Sequence, residues 1–248
     1  MPILDPNQSM TQHTVAGSRY GFSATRIDGL GAAEWTLVAI ACDVSGSVGG
    51  FERDMEAAVK AVVEASRLSP RADHLMLRLI AFDNSVREVH GFKPLADCRP
   101  ADYDRALAIG GTTALFDAAH NTVAATVQYG AALSQRGMAV NAIIFVITDG
   151  DDNASTVSAA AVKHAIAEAV RGEALESVQT LLVGVNVKGT GIGAYLMDFS
   201  AKAGFDHYLE LADANPRTLA GLADFVSQSI AVQSMYLGTG LSGPLGSI

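Results

Sequence analysis

The chain has 248 residues, 49% of them apolar and 17% charged, with a formal net charge of −9. That balance excludes a disordered chain and fits one α/β domain with a sizeable core. Lys and Arg are scattered singly, which excludes wrapping of a nucleic-acid backbone, because displacing its counterions needs a basic stripe.

Residues 1–18 are polar, carry Pro2 and Pro6, and read as a frayed tail. Tyr20–Ile27 reads as a short strand, so residues 1–33 form a tail plus extension ahead of the main domain at 34–235. Trp35–Cys42 (WTLVAIAC) is a continuous apolar run ending at Asp43, as expected of a strand buried on both faces. Phe51–Leu68 places Met55, Ala58, Val59, Val62 and Val63 at helical spacing and stops before Pro70. Leu75–Phe82 is a second core strand, and Ser85–Gly91 is its hairpin partner. An irregular connection over 93–111 delivers Gly110-Gly111-Thr112. Ala114–Arg136 is an Ala-rich helix ended by Gly137, and Ala142–Ile147 is the fourth buried strand. Helices follow at Ser158–Arg171 and Ile192–Ala203, with strands at Val178–Val187 and His207–Leu211. Pro216 opens a closing helix to about Met235, and the Gly- and Ser-rich residues 236–248 read as a loose tail.

Short apolar strands alternating with longer helices indicate a doubly wound, mostly parallel central sheet with helices on both faces. Ligands of such sheets bind at the carboxyl ends of the strands, near the switch point. Asp43 ends the first core strand and Asp149 ends the fourth. In the doubly wound order those strands are neighbours, so topology alone brings the two carboxylates to one edge.

Three short motifs lie at that edge: Asp43-Val44-Ser45-Gly46-Ser47, Gly111-Thr112 and Thr148-Asp149-Gly150. Asp43, Ser45, Ser47, Thr112 and Asp149 offer two carboxylates and three hydroxyls, an all-oxygen set suited to a hard cation such as Mg²⁺. Plainer readings exist for each piece. Ser45 and Ser47 are good caps for the following helix, Thr112 or Thr113 can cap the next one, and Asp149-Gly150 is an ordinary turn. Asp151 and Asp152 add negative charge nearby.

The combination resembles the metal-ion-dependent adhesion site of von Willebrand factor A (vWA) domains. That family carries D-x-S-x-S after its first strand, G-G-T before a middle helix and [IV]-T-D-G after its fourth strand; DVSGS, GGT and ITDG stand here. The resemblance spans about residues 34–232 and implies a Rossmann-like vWA fold. It implies that Ser45, Ser47 and at times Thr112 coordinate Mg²⁺ directly, with Mn²⁺ or Ca²⁺ as alternatives. Asp43 and Asp149 then act largely through water, and an Asp or Glu of a protein partner completes the shell. The extension from Tyr20 to Trp35 is similar to that of stand-alone bacterial vWA proteins linked to tellurite-resistance and stress operons.

Other chemistry is sparse. Gly189-Thr190-Gly191-Ile192-Gly193-Ala194 fits a dinucleotide-binding G-x-G-x-x-[GA], with Glu210 further on, but it opens the last unit of the sheet, not the first. Walker A and G-x-S-x-G motifs are absent, and the six histidines show no ligand spacing. Cys42 and Cys98 read as reduced thiols, and the N-terminus does not read as a signal peptide. The expected protein is therefore a cytoplasmic, non-enzymatic interaction module with no nucleic-acid or membrane partner. A nucleotide-binding or metal-dependent hydrolytic enzyme at the same edge is the alternative, and a scaffold with a structural metal is a third reading.

Overall fold

The computed structural model describes residues 10–246. Eight strands form one sheet: β1 (Met10–Thr14), β2 (Gly21–Thr25), β3 (Glu34–Asp43), β4 (Leu75–Phe82), β5 (Val86–Pro94), β6 (Ala139–Thr148), β7 (Val178–Gly184) and β8 (His207–Glu210). Their spatial order is β1-β2-β5-β4-β3-β6-β7-β8. β1 and β5 run antiparallel to β2 and β4, and the other pairings are parallel. The expected doubly wound α/β architecture is what the chain adopts.

The central strands are largely apolar because both faces are covered. Leu37, Ala39 and Ala41 of β3 enter one core, and Val38, Ile40 and Cys42 enter the other. β6 divides in the same way, with Ala142, Ile144 and Val146 on one side and Ile143, Phe145 and Ile147 on the other. Helices α1 (Glu52–Arg67) and α5 (Pro216–Met235) cover the second face, while α2 (Leu115–Ser134), α3 (Ala159–Arg171) and α4 (Gly191–Ala203) cover the first. Side-chain caps fix several starts. Ser158 accepts from Ala161 N–H and Asn215 from Thr218 N–H, with Pro216 at the first helical position.

Chain order changes direction at β3. The chain moves outward through β4 and β5, then returns to place β6 on the other side of β3. The β3–β6 register pairs Cys42 with Ile147, so Asp43 and Asp149 leave adjacent strand ends at the switch point.

Both terminal segments differ from expectation. The polar tail read through residue 18 contains β1, an edge strand whose sequence MTQHT has no apolar alternation. Backbone pairing with β2 and stacking of His13 on Phe22, with centroids 4.7 Å apart, hold it in place. Residues 1–9 of that tail lie outside the described residues. The C-terminal segment is packed: Gly243 N–H donates to Gln233 Oε1 at 3.0 Å, and Gly246 N–H donates to Ser229 Oγ at 3.0 Å. Leu245 packs on the α1/α5 core. A Cβ on Gly243 would meet Val232 Cγ1 at 2.6 Å, so this glycine permits a close approach and does not signal looseness.

Cys42 and Cys98 are free and buried, and burial pushes their thiols up to about 12 and about 11. His90 is a core residue, with Nδ1 2.9 Å from Gly91 O and Nε2 3.0 Å from the Tyr103 hydroxyl. The carbonyl can only accept, so Nδ1 carries the proton and Nε2 accepts from Tyr103. Burial, chiefly, with Lys93 adding, holds His90 down at about 3. Its unfolded value is near 6.5, so its contribution to stability is complete above that pH and is lost as pH falls toward 3. Relative to His90→Gln, the wild type should lose about 1.4 kcal/mol per pH unit between pH 6 and 4 in urea unfolding. Equal pH slopes for the two proteins would contradict this.

Candidate metal-binding site

Three loops at the carboxyl edge of the sheet build the site. As β3 ends, Ser45 N–H donates to Asp43 Oδ1 at 2.8 Å, turning the chain sharply. A single 3-10 turn, Gly46–Val48, follows, and the Ser45 and Ser47 hydroxyls stand 3.2 Å apart. Val44 between the two motif residues is buried in the α1/α5 core. From the neighbouring strand, Thr148 Oγ1 donates to Asp43 Oδ2 at 2.6 Å, and Ser47 Oγ donates to Asp149 Oδ1 at 2.7 Å. One hydrogen-bonded chain thus runs Thr148, Asp43, Ser45, Ser47, Asp149, because the backbone amide of Ser45 and its hydroxyl engage opposite neighbours.

The Gly110–Thr112 loop closes on this chain through its backbone. Gly110 N–H donates to Val44 O at 2.9 Å, and Gly46 N–H donates to Gly111 O at 3.1 Å. Gly111 has φ +58°, and a Cβ there would lie 2.8 Å from Asn84 Oδ1, so the second glycine is a steric requirement. Thr112 is exposed and makes no hydrogen bond to the other four residues among those described. Its neighbour Thr113 is buried beside Gly150, and its amide donates to Asn153 Oδ1 at 2.8 Å. Four of the five expected residues are therefore linked directly, while Thr112 stands at the surface of the loop that abuts them.

Asp43 and Asp149 are 3% and 8% exposed. Among the described residues no Lys or Arg pairs with either of them. Burial pushes the Asp43 carboxyl up to about 6, the bonds from Thr148 and Ser45 pull it back, and the charge of Asp149 pushes it further. Burial likewise raises Asp149 against the pull of Ser47. Two buried carboxylates bridged by hydroxyls, with no counter-charge, suit a cation that offsets their desolvation. No three His, Cys, Asp or Glu side chains cluster as a metal group among the described residues. A metal here would depend on serine oxygens, which favours a hard cation over a soft one. The donor set fits.

The sequence profile of the von Willebrand factor type A domain matches residues 38–225. The chain belongs to the vWA family. Solved structures share the fold at low identity. The PilB minor pilin of Streptococcus sanguinis matches with a TM-score of 0.57 at 13% identity, over 84% of this chain and 64% of that one. The pilus adhesin SpaC of Lactobacillus rhamnosus GG matches with a TM-score of 0.60 at 9% identity, over 94% and 36%. Proximal thread matrix protein 1 from the mussel byssus, solved with a zinc-occupied MIDAS motif, matches with a TM-score of 0.51 at 18% identity, over 83% and 47%. The chain thus spans less than two thirds of each of these structures. No curated protein matches it in sequence.

In this vWA domain the glycine-rich run at 189–194 is a capped helix start. Thr190 Oγ1 accepts from Gly193 N–H at 3.1 Å, and the Glu210 carboxylate lies against Gly193. A carboxylate at that helix end repels the pyrophosphate that a dinucleotide reading would place there.

Sequence reasoning passed over Thr148, whose hydroxyl orients Asp43. Its signal was available: it ends β6 beside Asp43 in the parallel register. Asn153 and Asp117, which hold the surrounding loops, carried no local signal.

Proposed function

We propose that this vWA domain is a metal-dependent protein-interaction module. Asp43, Ser45, Ser47 and Asp149, with Thr112 from the adjoining loop, are the residues that would hold one divalent cation, Mg²⁺ foremost. The observation that carries this reading is the buried acid pair, linked through Ser47 and without a cationic side chain. Bound at this edge, the cation supplies positive charge that neutral hydroxyls leave largely unneutralised, and so attracts a carboxylate of a partner. Asp43 and Asp149 would offset part of that charge from behind the hydroxyls. Thr148 and the Ser45 amide fix the orientation of Asp43, and the Gly110–Gly111 backbone fixes the loop around Ser45.

A non-catalytic role is part of this proposal, supported by the engagement of both carboxylates with the Thr148 and Ser47 hydroxyls and the Ser45 amide. A cytosolic setting belongs to the same proposal, supported by two buried thiols that form no disulfide. A stress-linked role is proposed with it, supported by the resemblance of the Tyr20–Trp35 extension to stand-alone bacterial vWA proteins of tellurite-resistance and stress operons. Zinc in the mussel protein's MIDAS motif supports divalent binding by this fold and leaves the choice of metal to experiment.

Capture of partners from the native organism on the immobilised domain, in Mg²⁺ and in EDTA, tests the reading. Recovery of the principal partner should fall more than about tenfold in EDTA, and again when one particular Asp or Glu of that partner becomes Ala. A partner retained equally in EDTA would show that another surface makes the contact.

A further inference from the structure

Helix α2 starts without a cap of its own. Its N-cap residue is Ala114, which has no side-chain oxygen to receive the free amides of the first turn. The loop after Asp149 supplies those acceptors from across the site. Thr113 N–H donates to Asn153 Oδ1 at 2.8 Å, Phe116 N–H to Asp152 Oδ1 at 3.1 Å, and Asp117 N–H to Ser155 Oγ at 2.9 Å. The helix returns bonds in the opposite direction. Asp117 Oδ1 accepts from Thr156 N–H at 2.9 Å and Val157 N–H at 2.8 Å, and its Oδ2 from Thr156 Oγ1 at 3.1 Å. Thr113 O accepts from the amides of Asn153 and Ala154 at 3.0 and 3.1 Å.

Asp117 is 1% exposed, and the cation nearest to it is Arg19, 3.6 Å away on a half-exposed side chain. Its buried charge is therefore held mainly by the loop's N–H and O–H groups. None of these contacts reaches the linked chain of Asp43, Ser45, Ser47 and Asp149. Yet they join the segment that follows Asp149 to the segment that follows Thr112, and those are two of the three loops at the site.

We propose that Asp117 and Asn153 are positioning residues: by tying the Asp149 loop to the start of α2, they hold that loop and the Gly110–Thr112 loop as one unit and thereby set the affinity for a divalent cation without touching it. The inference rests on the metal-binding reading above. Loops ordered before binding lose no conformational freedom when a ligand arrives, whereas independent loops must be ordered at that moment. It also explains why a residue as exposed as Asn153 bonds Thr113 twice, once through its side chain and once through its backbone.

The test is Mn²⁺ calorimetry on the full chain, at a temperature where near-UV circular dichroism shows each variant folded, with amide exchange measured in parallel. Asp117→Ala and Asn153→Ala should bind Mn²⁺ about 10- to 100-fold more weakly, the range found for groups that orient metal ligands. Asp117→Asn keeps an acceptor for the Thr156 and Val157 amides and should stay within about fivefold of wild type. Exchange at Thr113 and Val157 should quicken in Asp117→Ala and stay unchanged in β3. Wild-type affinity in both Ala variants, with exchange quickened, would overturn the inference and leave the site reading intact. A wild-type protein that binds no Mn²⁺ would remove both. Should Asp117→Ala fail to fold, Asn153→Ala, at a surface position, decides the matter alone.

Discussion

Asp149→Ala should lower the affinity for Mn²⁺ by more than about 100-fold, beyond the loss expected for residues that only support ligands, and should leave the far-UV circular dichroism spectrum native. Asp149 is one of only two carboxylates in the linked set, so its removal takes away half of the negative charge facing a cation there. It also frees the Ser47 hydroxyl, whose orientation depends on Asp149 Oδ1 at 2.7 Å. The fold should tolerate the change, because the β6 register and the Thr148–Asp43 bond are made without that side chain. Removing a buried acid that has no cationic partner also relieves a desolvation cost, so the metal-free variant should melt no lower than the metal-free wild type. Unchanged Mn²⁺ affinity would remove Asp149 from the site.

Arg78→Met should destabilise the domain by about 3–5 kcal/mol, the usual result of removing one partner from a buried ion pair. Arg78 lies in the middle of β4 at 1% exposure. Its Nε donates to Glu88 Oε1 at 2.8 Å and its Nη2 to Asn121 Oδ1 at 2.8 Å. Its guanidinium carbon stands 5.9 Å from the ring centres of both Phe22 and Phe92. Glu88 in turn accepts from Ser23 N–H at 3.0 Å and Ser23 Oγ at 2.8 Å, and Asn121 Nδ2 donates to the Tyr20 and Gly21 carbonyls at 3.3 Å. Since β2 meets β5 at a single paired position, Ala24 with Phe92, this polar cluster pins the N-terminal hairpin to the sheet. Without Arg78 the Glu88 carboxylate, 13% exposed, stays largely covered and loses its counter-charge. Urea unfolding should show the loss, and Arg78→Met/Glu88→Gln should recover a substantial part of it. A loss under about 1 kcal/mol, or no recovery, would show that the hairpin is held by its apolar contacts alone.

The core and the strand-end carboxylates were legible because they depend on local patterns. A strand covered on both faces must be mostly apolar, so WTLVAIAC marked β3 to within one residue at each end and LMLRLIAF marked β4 to the residue. Pro216 set the start of α5, where it stands at the first helical position. Adjacency of Asp43 and Asp149 followed from winding order, without side-chain detail. What escaped the sequence depends on partners far along the chain. β1 carries no apolar alternation, because an edge strand with neither face deeply buried needs none. Arg78 sat unmarked inside an apolar run, and its acceptors Glu88 and Asn121 lie on a different strand and a helix. The cap of α2 is supplied from about forty residues downstream, so Ala114 offered nothing to recognise. Gly243 and Gly246, read as looseness, are places where the tail comes close to α5.

Diffraction from crystals grown with Mn²⁺, collected at the manganese absorption edge, tests the central claim most directly. The account predicts one strong anomalous peak at the carboxyl ends of β3 and β6, in contact with the Ser45 and Ser47 hydroxyls and beside Asp43 and Asp149. A domain that shows no peak there, or whose only peak lies on another surface, would contradict it.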